Sequence, residues 1–170
     1  MKQSFMVISI VMGSDSDLKL CMEACHVFDE FDVPYEVKVI SAHRNTEECI
    51  KYAKEAKERG IQVIIAAAGM SAHLAGVIAA NTVLPVIGIP LCRTSLLGLD
   101  ALFSIIQMPP GIPVATVGVD SSANAAFLAL RILALKDKNL EEKLINYSEK
   151  MKKALMEKQE KVERSLNASE

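Results

Sequence analysis

The hydrophobic positions of this chain follow two periods that alternate from the N-terminus onward. Helix-length segments with apolar residues three or four positions apart separate short runs that are rich in apolar, β-favouring residues. The runs predict strands at Phe5–Met12, Tyr35–Ile40, Ile61–Ala68, Leu84–Pro90 and Val114–Val119. Between and after them, the pattern predicts five helices: Leu18–Phe31, Asn45 to Gly60, one within Gly69–Thr82, about Ser95–Gln107, and Ser121 or Ser122 through Ala134. In the second of these, Asn45 can cap the helix, Glu48 is placed as in a capping box, and Gly60 ends it.

Two of these runs, Ile61–Ala68 and Leu84–Pro90, are near-continuous, which is typical of strands that helices cover on both faces. The alternation of such strands with helices predicts one doubly wound, three-layer α/β domain of the flavodoxin-like kind. We expect a parallel sheet of about five strands.

The C-terminal part of the chain has a different pattern. From Asn139 to Ser165 and just beyond, apolar residues recur at steps of three, four or seven among Lys and Glu, which predicts one long amphipathic helix with a narrow apolar stripe. The stripe covers either a partner subunit or an edge of its own domain, and a narrow seam favours a partner. We therefore expect an α/β domain over residues 1–138 and a helix over residues 139–166 that packs on a neighbouring subunit.

Composition excludes several classes of protein. The chain has 170 residues, of which 51% are hydrophobic and 24% charged, so most of it is not disordered. With 19 basic and 21 acidic residues, it lacks the basic excess that would bind nucleic acid or an anionic membrane. It has no apolar run long enough for a membrane span, and no cleavage site follows the first apolar run.

The four cysteines are not spaced like a zinc site. Cys21 and Cys25 lie four residues apart on a predicted helix and His26 follows them, but no second ligand pair has zinc-site spacing. We interpret these two residues, with Cys49 and Cys92, as small buried hydrophobes of a reducing compartment. The expected location is the cytoplasm.

Polar side chains concentrate directly after the predicted strands. The loops there read GSDSD, SAHR, AGMSAHL and CRTS, and they hold two of the three histidines. In an open parallel sheet, ligands bind outside the carboxyl ends of the strands, near the point where the strand order reverses. The sequence therefore predicts a ligand site at this edge.

The SAHR loop contains the residues that most specifically indicate a binding and catalytic role. Arg44 beside Ser41 can clamp a phosphate, and the imidazole of His43 can carry a proton near neutral pH. The GSDSD loop can bind an anion at a helix N-terminus, but its Ser and Asp residues also suit simple capping, and it is neither a dinucleotide fingerprint nor a P-loop. In AGMSAHL, packing between helix and sheet explains the small residues better than it explains His73.

These loops belong to a longer series of motifs: VMGSDSD, SAHR, AAAGMSAHLAG, LPVIGIP, GLDALFSIIQMPPGIPVATV and SANAAFLALRIL. In this order, from Val7 to about Leu140, they resemble the N5-carboxyaminoimidazole ribonucleotide mutase family (PurE family, class I branch). The resemblance implies a homo-octamer in which the long C-terminal helix reaches a neighbouring subunit. It also implies a functional link to the ATP-dependent carboxylase that makes the N5-carboxylated substrate.

The implied activity is an isomerase of de novo purine biosynthesis that uses neither cofactor nor metal. Such an enzyme moves the carboxylate of a ribonucleotide from N5 to ring carbon C4 by decarboxylation and recarboxylation. By motif position, His43 matches the general acid/base, Arg44 is assigned to the phosphate and Asp17 to the ribose hydroxyls. The other implied substrate-binding positions are Ser14, Ser16, Ser41, Ala68, Gly69 and His73.

The third motif departs from that family, whose mutase branch usually reads AGAGGAAHLPG. Met70 and Ser71 lie where a branch that carboxylates aminoimidazole ribonucleotide directly has Arg and Ser, whereas Arg44 and His73 follow the mutase branch. Two alternatives stay open: a direct carboxylase that takes carbon dioxide from solution, and a ribonucleotide-binding module without catalysis. The presence of His43 argues against the second alternative.

Overall fold

The computed structural model describes residues 8–167 of the chain. Within that range, strands and helices alternate in the predicted order. The strands are β1 (Ile8–Met12), β2 (Tyr35–Val39), β3 (Val63–Gly69), β4 (Val86–Leu91) and β5 (Ala115–Thr116). The helices are α1 (Leu18–Glu30), α2 (Thr46–Glu55), α3 (Leu74–Ala79), α4 (Leu99–Ile106), α5 (Ser122–Ala134) and α6 (Lys138–Asn167). The start that we predict for the first strand, Phe5–Val7, lies outside the described residues.

The strands form one parallel sheet in the order β2–β1–β3–β4–β5, which confirms the doubly wound, flavodoxin-like fold. Ile10 at the centre of β1 lies opposite Val37 of β2 and Ile65 of β3. The order reverses between β1 and β3, so the chain leaves these neighbouring strands toward opposite faces of the sheet. A crevice is expected at their carboxyl ends.

Small residues let the helices approach the sheet closely. On the face covered by α2 and α3, Ala53 and Ile78 are fully buried against the alanine-rich strand β3. On β4, a Cβ at Gly88 would lie 2.4 Å from Cγ2 of Ile105 in α4, so only glycine leaves room for that isoleucine. The alanine and glycine content of the predicted strands is therefore a packing requirement.

Three elements differ by more than two residues from their predicted bounds, and the first of them, α2, ends at Glu55 rather than at Gly60. α4 begins at Leu99 rather than near Ser95, because Leu97 and Gly98 have φ angles of 54° and 83°, and a left-handed backbone cannot continue a right-handed helix. β5 is two residues long. Beyond it, single hydrogen bonds from Val117 N–H to Gly88 O and from Asp120 N–H to Pro90 O still tie the segment to β4.

The cap that we predict for α2 is present in part. The Asn45 side chain accepts a hydrogen bond from the Glu48 N–H at 3.2 Å. The N–H of Asn45 donates to Ser41 O rather than to the Glu48 side chain. The result is a closed turn between β2 and α2, which fixes the loop that contains His43.

The chain divides into two compact units, one ending at Ile132 and the other beginning at Leu133. In the second unit, α6 begins at Lys138, close to the predicted start, and most of its apolar stripe is exposed, including Met151, Leu155 and Val162. That it packs on a neighbouring subunit stays a prediction. None of the described helices combines the length and apolarity needed to cross a membrane.

The cysteines of α1 point into the protein. Cys21 and Cys25 are buried whereas His26 is exposed, so the three side chains do not converge. Burial raises the pKa of the Cys21 thiol to about 12, with a smaller contribution from the charge of Asp17, which disfavours the thiolate that binds metals. Across residues 8–167, no group of three His, Cys, Asp or Glu residues could hold a metal ion.

A buried polar network joins β1, β2 and α2. The Tyr52 hydroxyl donates to Oε1 of Glu36 at 2.7 Å and contacts the Ser9 hydroxyl, while the Arg59 guanidinium pairs with Oε2 of Glu36. Burial alone would raise the pKa of the Glu36 carboxyl, but the hydrogen bonds from Tyr52 and Arg59 outweigh it and lower that pKa. Glu36 is therefore held as a carboxylate inside the fold.

We expect Glu36→Gln to lower the free energy of unfolding by about 2 kcal/mol near pH 7, because Arg59 loses its anionic partner. Folding lowers the Glu36 pKa, so its contribution is present above the ordinary value of 4.5 and is lost as the pH falls below it. Urea unfolding should therefore show the difference from wild type shrinking as the pH is lowered from neutral through that value. The exposed Glu58→Gln is the control, and a pH-independent difference would contradict the prediction.

Candidate functional site

A cavity of about 510 Å³ opens at the carboxyl ends of the strands where the order reverses. This volume is in the range of small-molecule sites. The loops after β1, β2, β3 and β4 line it, and they bring every predicted site residue together. These are Ser14, Ser16, Asp17, Ser41, His43, Arg44, Ala68, Gly69 and His73.

The loop after β1 combines capping with exposure to the cavity. The Ser14 side chain accepts from the Ser16 N–H at 3.4 Å, and the Ser14 N–H donates to Oδ2 of Asp17 at 3.2 Å. These reciprocal contacts make a capping box around the helical turn Asp15–Asp17, which leads into α1. The capping interpretation is therefore confirmed. The same serine and aspartate side chains line the cavity, and ligand binding by them stays a prediction.

Arg44, after β2, is held at the cavity without a carboxylate partner. Its Nη2 donates to Gly13 O at 2.9 Å, and its N–H and Nε both donate to the Ser41 hydroxyl. No acidic side chain of residues 8–167 forms an ion pair with it. The guanidinium charge is therefore oriented by neutral groups and available to an anionic ligand.

The two cavity histidines contact each other directly. Nε2 of His43 lies 2.8 Å from Nδ1 of His73, and the ring planes are 89° apart. One nitrogen must donate and the other accept, so the contact holds one proton between the rings. A second proton would place two N–H groups face to face. The contact therefore orients both rings and leaves Nδ1 of His43 and Nε2 of His73 outside it, as the ring nitrogens that could exchange a proton with a ligand.

Sequence reasoning missed Arg93, which also lines the cavity. Its Nη2 donates to Oδ1 of Asp17 at 2.6 Å and to Ser16 O at 2.7 Å, and its Nε donates to the same Oδ1 at 3.1 Å. The signal available in the sequence was its position in CRTS after a strand, like that of Arg44 in SAHR. Its pairing with Asp17 depends on a contact across 76 positions of the chain, which no local pattern indicates.

Gly69, at the end of β3, makes room for this arginine. A Cβ at Gly69 would lie 2.4 Å from Cγ and 3.0 Å from Cβ of Arg93. Met70 beside it has a φ angle of 57° and is 60% exposed. Such a backbone conformation suits glycine, the residue that the mutase-branch motif usually has there, so methionine adds local strain at the cavity rim.

The charges lining the cavity favour an anionic ligand. Its only lining carboxylate in the described part of the chain is Asp17, against two guanidinium groups, Arg44 and Arg93. One guanidinium offsets Asp17, which leaves the charge of Arg44 for the ligand. A phosphate monoester attached to a planar group would use both this charge and the imidazoles of His43 and His73.

Sequence comparison relates this chain to one protein family and to proteins with two activity names. The sequence model of the AIR carboxylase family matches residues 7–154. A Pyrococcus horikoshii protein named N5-carboxyaminoimidazole ribonucleotide mutase is 55% identical over 96% of this chain and 92% of its own. A Schizosaccharomyces pombe phosphoribosylaminoimidazole carboxylase is 48% identical over 93% of this chain, which spans 29% of that protein.

Solved structures agree with the fold. Treponema denticola PurE superposes with a TM-score of 0.81 at 30% identity, over 89% of this chain and 94% of that one. A single-residue variant of PurE2 from the same organism gives 0.84 at 29% identity, over 91% and 96% of the two chains. With the family match over most of its length, the chain belongs to the AIR carboxylase family.

Proposed function

We propose that this chain is an isomerase of de novo purine biosynthesis, an N5-carboxyaminoimidazole ribonucleotide mutase. It converts the N5-carboxylated ribonucleotide to 4-carboxy-5-aminoimidazole ribonucleotide. The observation that carries the proposal is the hydrogen-bonded pair of His43 and His73 in a cavity that also presents the unpaired guanidinium of Arg44. Relatives of this name, at 48% to 58% identity over most of the chain, support it.

In this proposal the substrate lies along the carboxyl edge of the sheet. Arg44 and the serine hydroxyls of the first two loops bind the phosphate, and Asp17 accepts hydrogen bonds from the ribose hydroxyls. Ala68 and Gly69 at the end of β3 let the imidazole ring approach the backbone. This places the ring near His43 and His73, the groups that can exchange protons with it.

The reaction requires one proton to be given and one to be taken. Cleavage of the N5–carboxylate bond leaves the electron pair on N5, and His43 donates a proton to that nitrogen as carbon dioxide departs. Ring carbon C4 then attacks the retained carbon dioxide, and the proton displaced from C4 returns to His43. The histidine ends as it began, no group is oxidised or reduced, and imidazole suits both steps near neutral pH.

The proposal includes a homo-octameric assembly in the cytoplasm. Exposed apolar side chains support self-association: Leu96, Leu97, Leu99, Phe103 and Ile106 in and before α4 are each more than half exposed. Contiguous apolar surface of this kind often marks an interface. Light scattering during gel filtration tests the assembly, for which the expected mass is eight times the 18.5 kDa chain. An ATP-dependent carboxylase that supplies the labile N5-carboxylated substrate is the proposed functional partner.

The deciding experiment follows the carboxylate carbon. The purified protein receives substrate labelled with carbon-13 at the N5 carboxylate, in a large excess of unlabelled bicarbonate and without ATP. Retention of the label at C4 is the expected result, because captive carbon dioxide does not mix with the solvent pool. A chain with His43→Asn provides the blank for uncatalysed conversion.

Two other outcomes would each identify an alternative. Product that carries only unlabelled carbon would make the chain a direct carboxylase, a second candidate favoured by Met70-Ser71 in the third motif and by the name of the Schizosaccharomyces pombe relative. No product above the blank would overturn both enzymatic functions. A ribonucleotide-binding module without catalysis would then be the remaining function.

A further inference from the structure

Arg93 reaches across the carboxyl ends of three strands. It follows β4, its side-chain stem passes over Gly69 at the end of β3, and its guanidinium contacts the loop that follows β1. Gly69 is the residue that permits this route, since any Cβ there would clash with the stem. The side chain thereby places a positive charge beside the loop after β1, although Arg93 lies far from that loop in the sequence.

The guanidinium orients the Asp17 carboxylate from one side. Arg93 donates two hydrogen bonds to Oδ1, and the Ser14 N–H donates one to Oδ2. The Asp17 side chain is only 7% exposed, so Arg93 supplies the positive charge that offsets it inside the protein. A carboxylate has about four acceptor positions, and those of Oδ2 are not all used by these contacts.

We propose that Arg93 is a positioning residue for sugar recognition. By holding Oδ1 of Asp17, it leaves Oδ2 oriented to accept a hydrogen bond from a ribose hydroxyl. Arg93 thereby determines how strongly the site prefers a ribonucleotide to its deoxyribose counterpart. The inference rests on the proposed function, since it assigns the sugar of that substrate to Asp17, but it concerns binding and not the transfer of carbon dioxide.

The test compares variants that keep the stem and change the head group. Arg93→Met keeps the packing over Gly69 and removes the charge. Arg93→Lys keeps a charge but lacks the planar fork with which Nε and Nη2 both donate to Oδ1 of Asp17. Calorimetry measures the Kd of 5-aminoimidazole ribonucleotide and of its counterparts that lack either ribose hydroxyl. The exposed Arg131→Met, on α5 and outside the set of cavity-lining residues, is the matched control.

For Arg93→Met we expect the ribonucleotide Kd and KM to rise by about 10- to 100-fold, with kcat nearly unchanged, because a charge-assisted contact is lost. The preference for the ribose over the deoxyribose ligands should fall toward one. Arg93→Lys should retain part of the wild-type affinity for the ribonucleotide and part of the preference for ribose. The double variant Arg93→Met/Asp17→Asn should bind no more weakly than Asp17→Asn alone, since both changes disable the same contact.

Unchanged Kd and unchanged sugar preference in Arg93→Met would overturn the inference, as would fully additive losses in the double variant. If Arg93→Met does not fold, as judged by circular dichroism, the lysine variant decides: wild-type sugar preference in it overturns the inference. Failure of the proposed function is seen separately, as absent turnover by the wild-type chain. The binding comparison gives its result whether or not turnover occurs.

Discussion

Replacing His43 by Asn is expected to lower kcat by about 10²- to 10⁴-fold while changing the Kd of the ribonucleotide less than about threefold. Asparagine is similar in size to histidine and still forms hydrogen bonds, but it cannot take up and release a proton near neutral pH. Both the protonation of N5 and the removal of the C4 proton would lose their catalyst. Steady-state kinetics and calorimetry on the same preparation measure the two quantities.

Two further histidine variants make this result specific. His26→Asn changes the exposed histidine of α1, which is not among the residues that line the cavity, and should behave like wild type. His73→Asn removes the ring that contacts Nε2 of His43, and we expect a smaller loss of kcat, about tenfold, because orientation is disturbed while the acid/base group remains. A larger loss in His73→Asn than in His43→Asn would reverse the proposed roles.

Replacing Arg44 by Met is expected to raise the KM of the ribonucleotide by about 100-fold, with kcat reduced much less. The guanidinium has no carboxylate partner among residues 8–167, so its charge is available to the phosphate, and charge-assisted hydrogen bonds are among the strongest that a binding site makes. The KM of Arg44→Lys should lie between those of wild type and the methionine variant, because an ammonium keeps the charge but lacks the planar fork that matches two phosphate oxygens.

The phosphate assignment has its own discriminating measurement. Wild type should bind the ribonucleotide far more tightly than the corresponding ribonucleoside, and Arg44→Met should lose most of that preference. Arg131→Met again serves as the control for loss of an exposed arginine. If Arg44→Met weakens ribonucleotide and ribonucleoside binding equally, Arg44 stabilises the conformation of the loop after β2 and does not bind the phosphate.

The sequence was sufficient to predict the sheet and the edge at which the cavity lies. Uninterrupted apolar runs are characteristic of buried parallel strands, and a parallel sheet brings the ends of distant strands together. Ser14, His43 and His73 could therefore be assigned to one site before their distances were known, and all three line the cavity. Motif order then supplied the family, which the comparisons confirm.

Two features were not indicated by the sequence, the start of α4 and the role of Arg93. They depend on backbone geometry and on a contact between residues that are far apart in the chain. The apolar pattern before α4 is helical, but Leu97 and Gly98 adopt left-handed backbone conformations, so the helix begins later than predicted. Arg93 has the same local setting as many solvent-exposed arginines. Its role depends on where β4 lies relative to β1, and on a glycine in the strand between them.

The passage of Arg93 over Gly69 also constrains how this site can change during evolution. With the arginine in place, any residue other than glycine at position 69 meets its stem at 2.4 Å, so position 93 must first acquire a shorter side chain. That first step removes the positive charge beside Asp17, and lineages that take it need another way to hold that aspartate. Substitutions at these positions are therefore expected to accumulate in a set order along any branch, with position 93 changing before position 69.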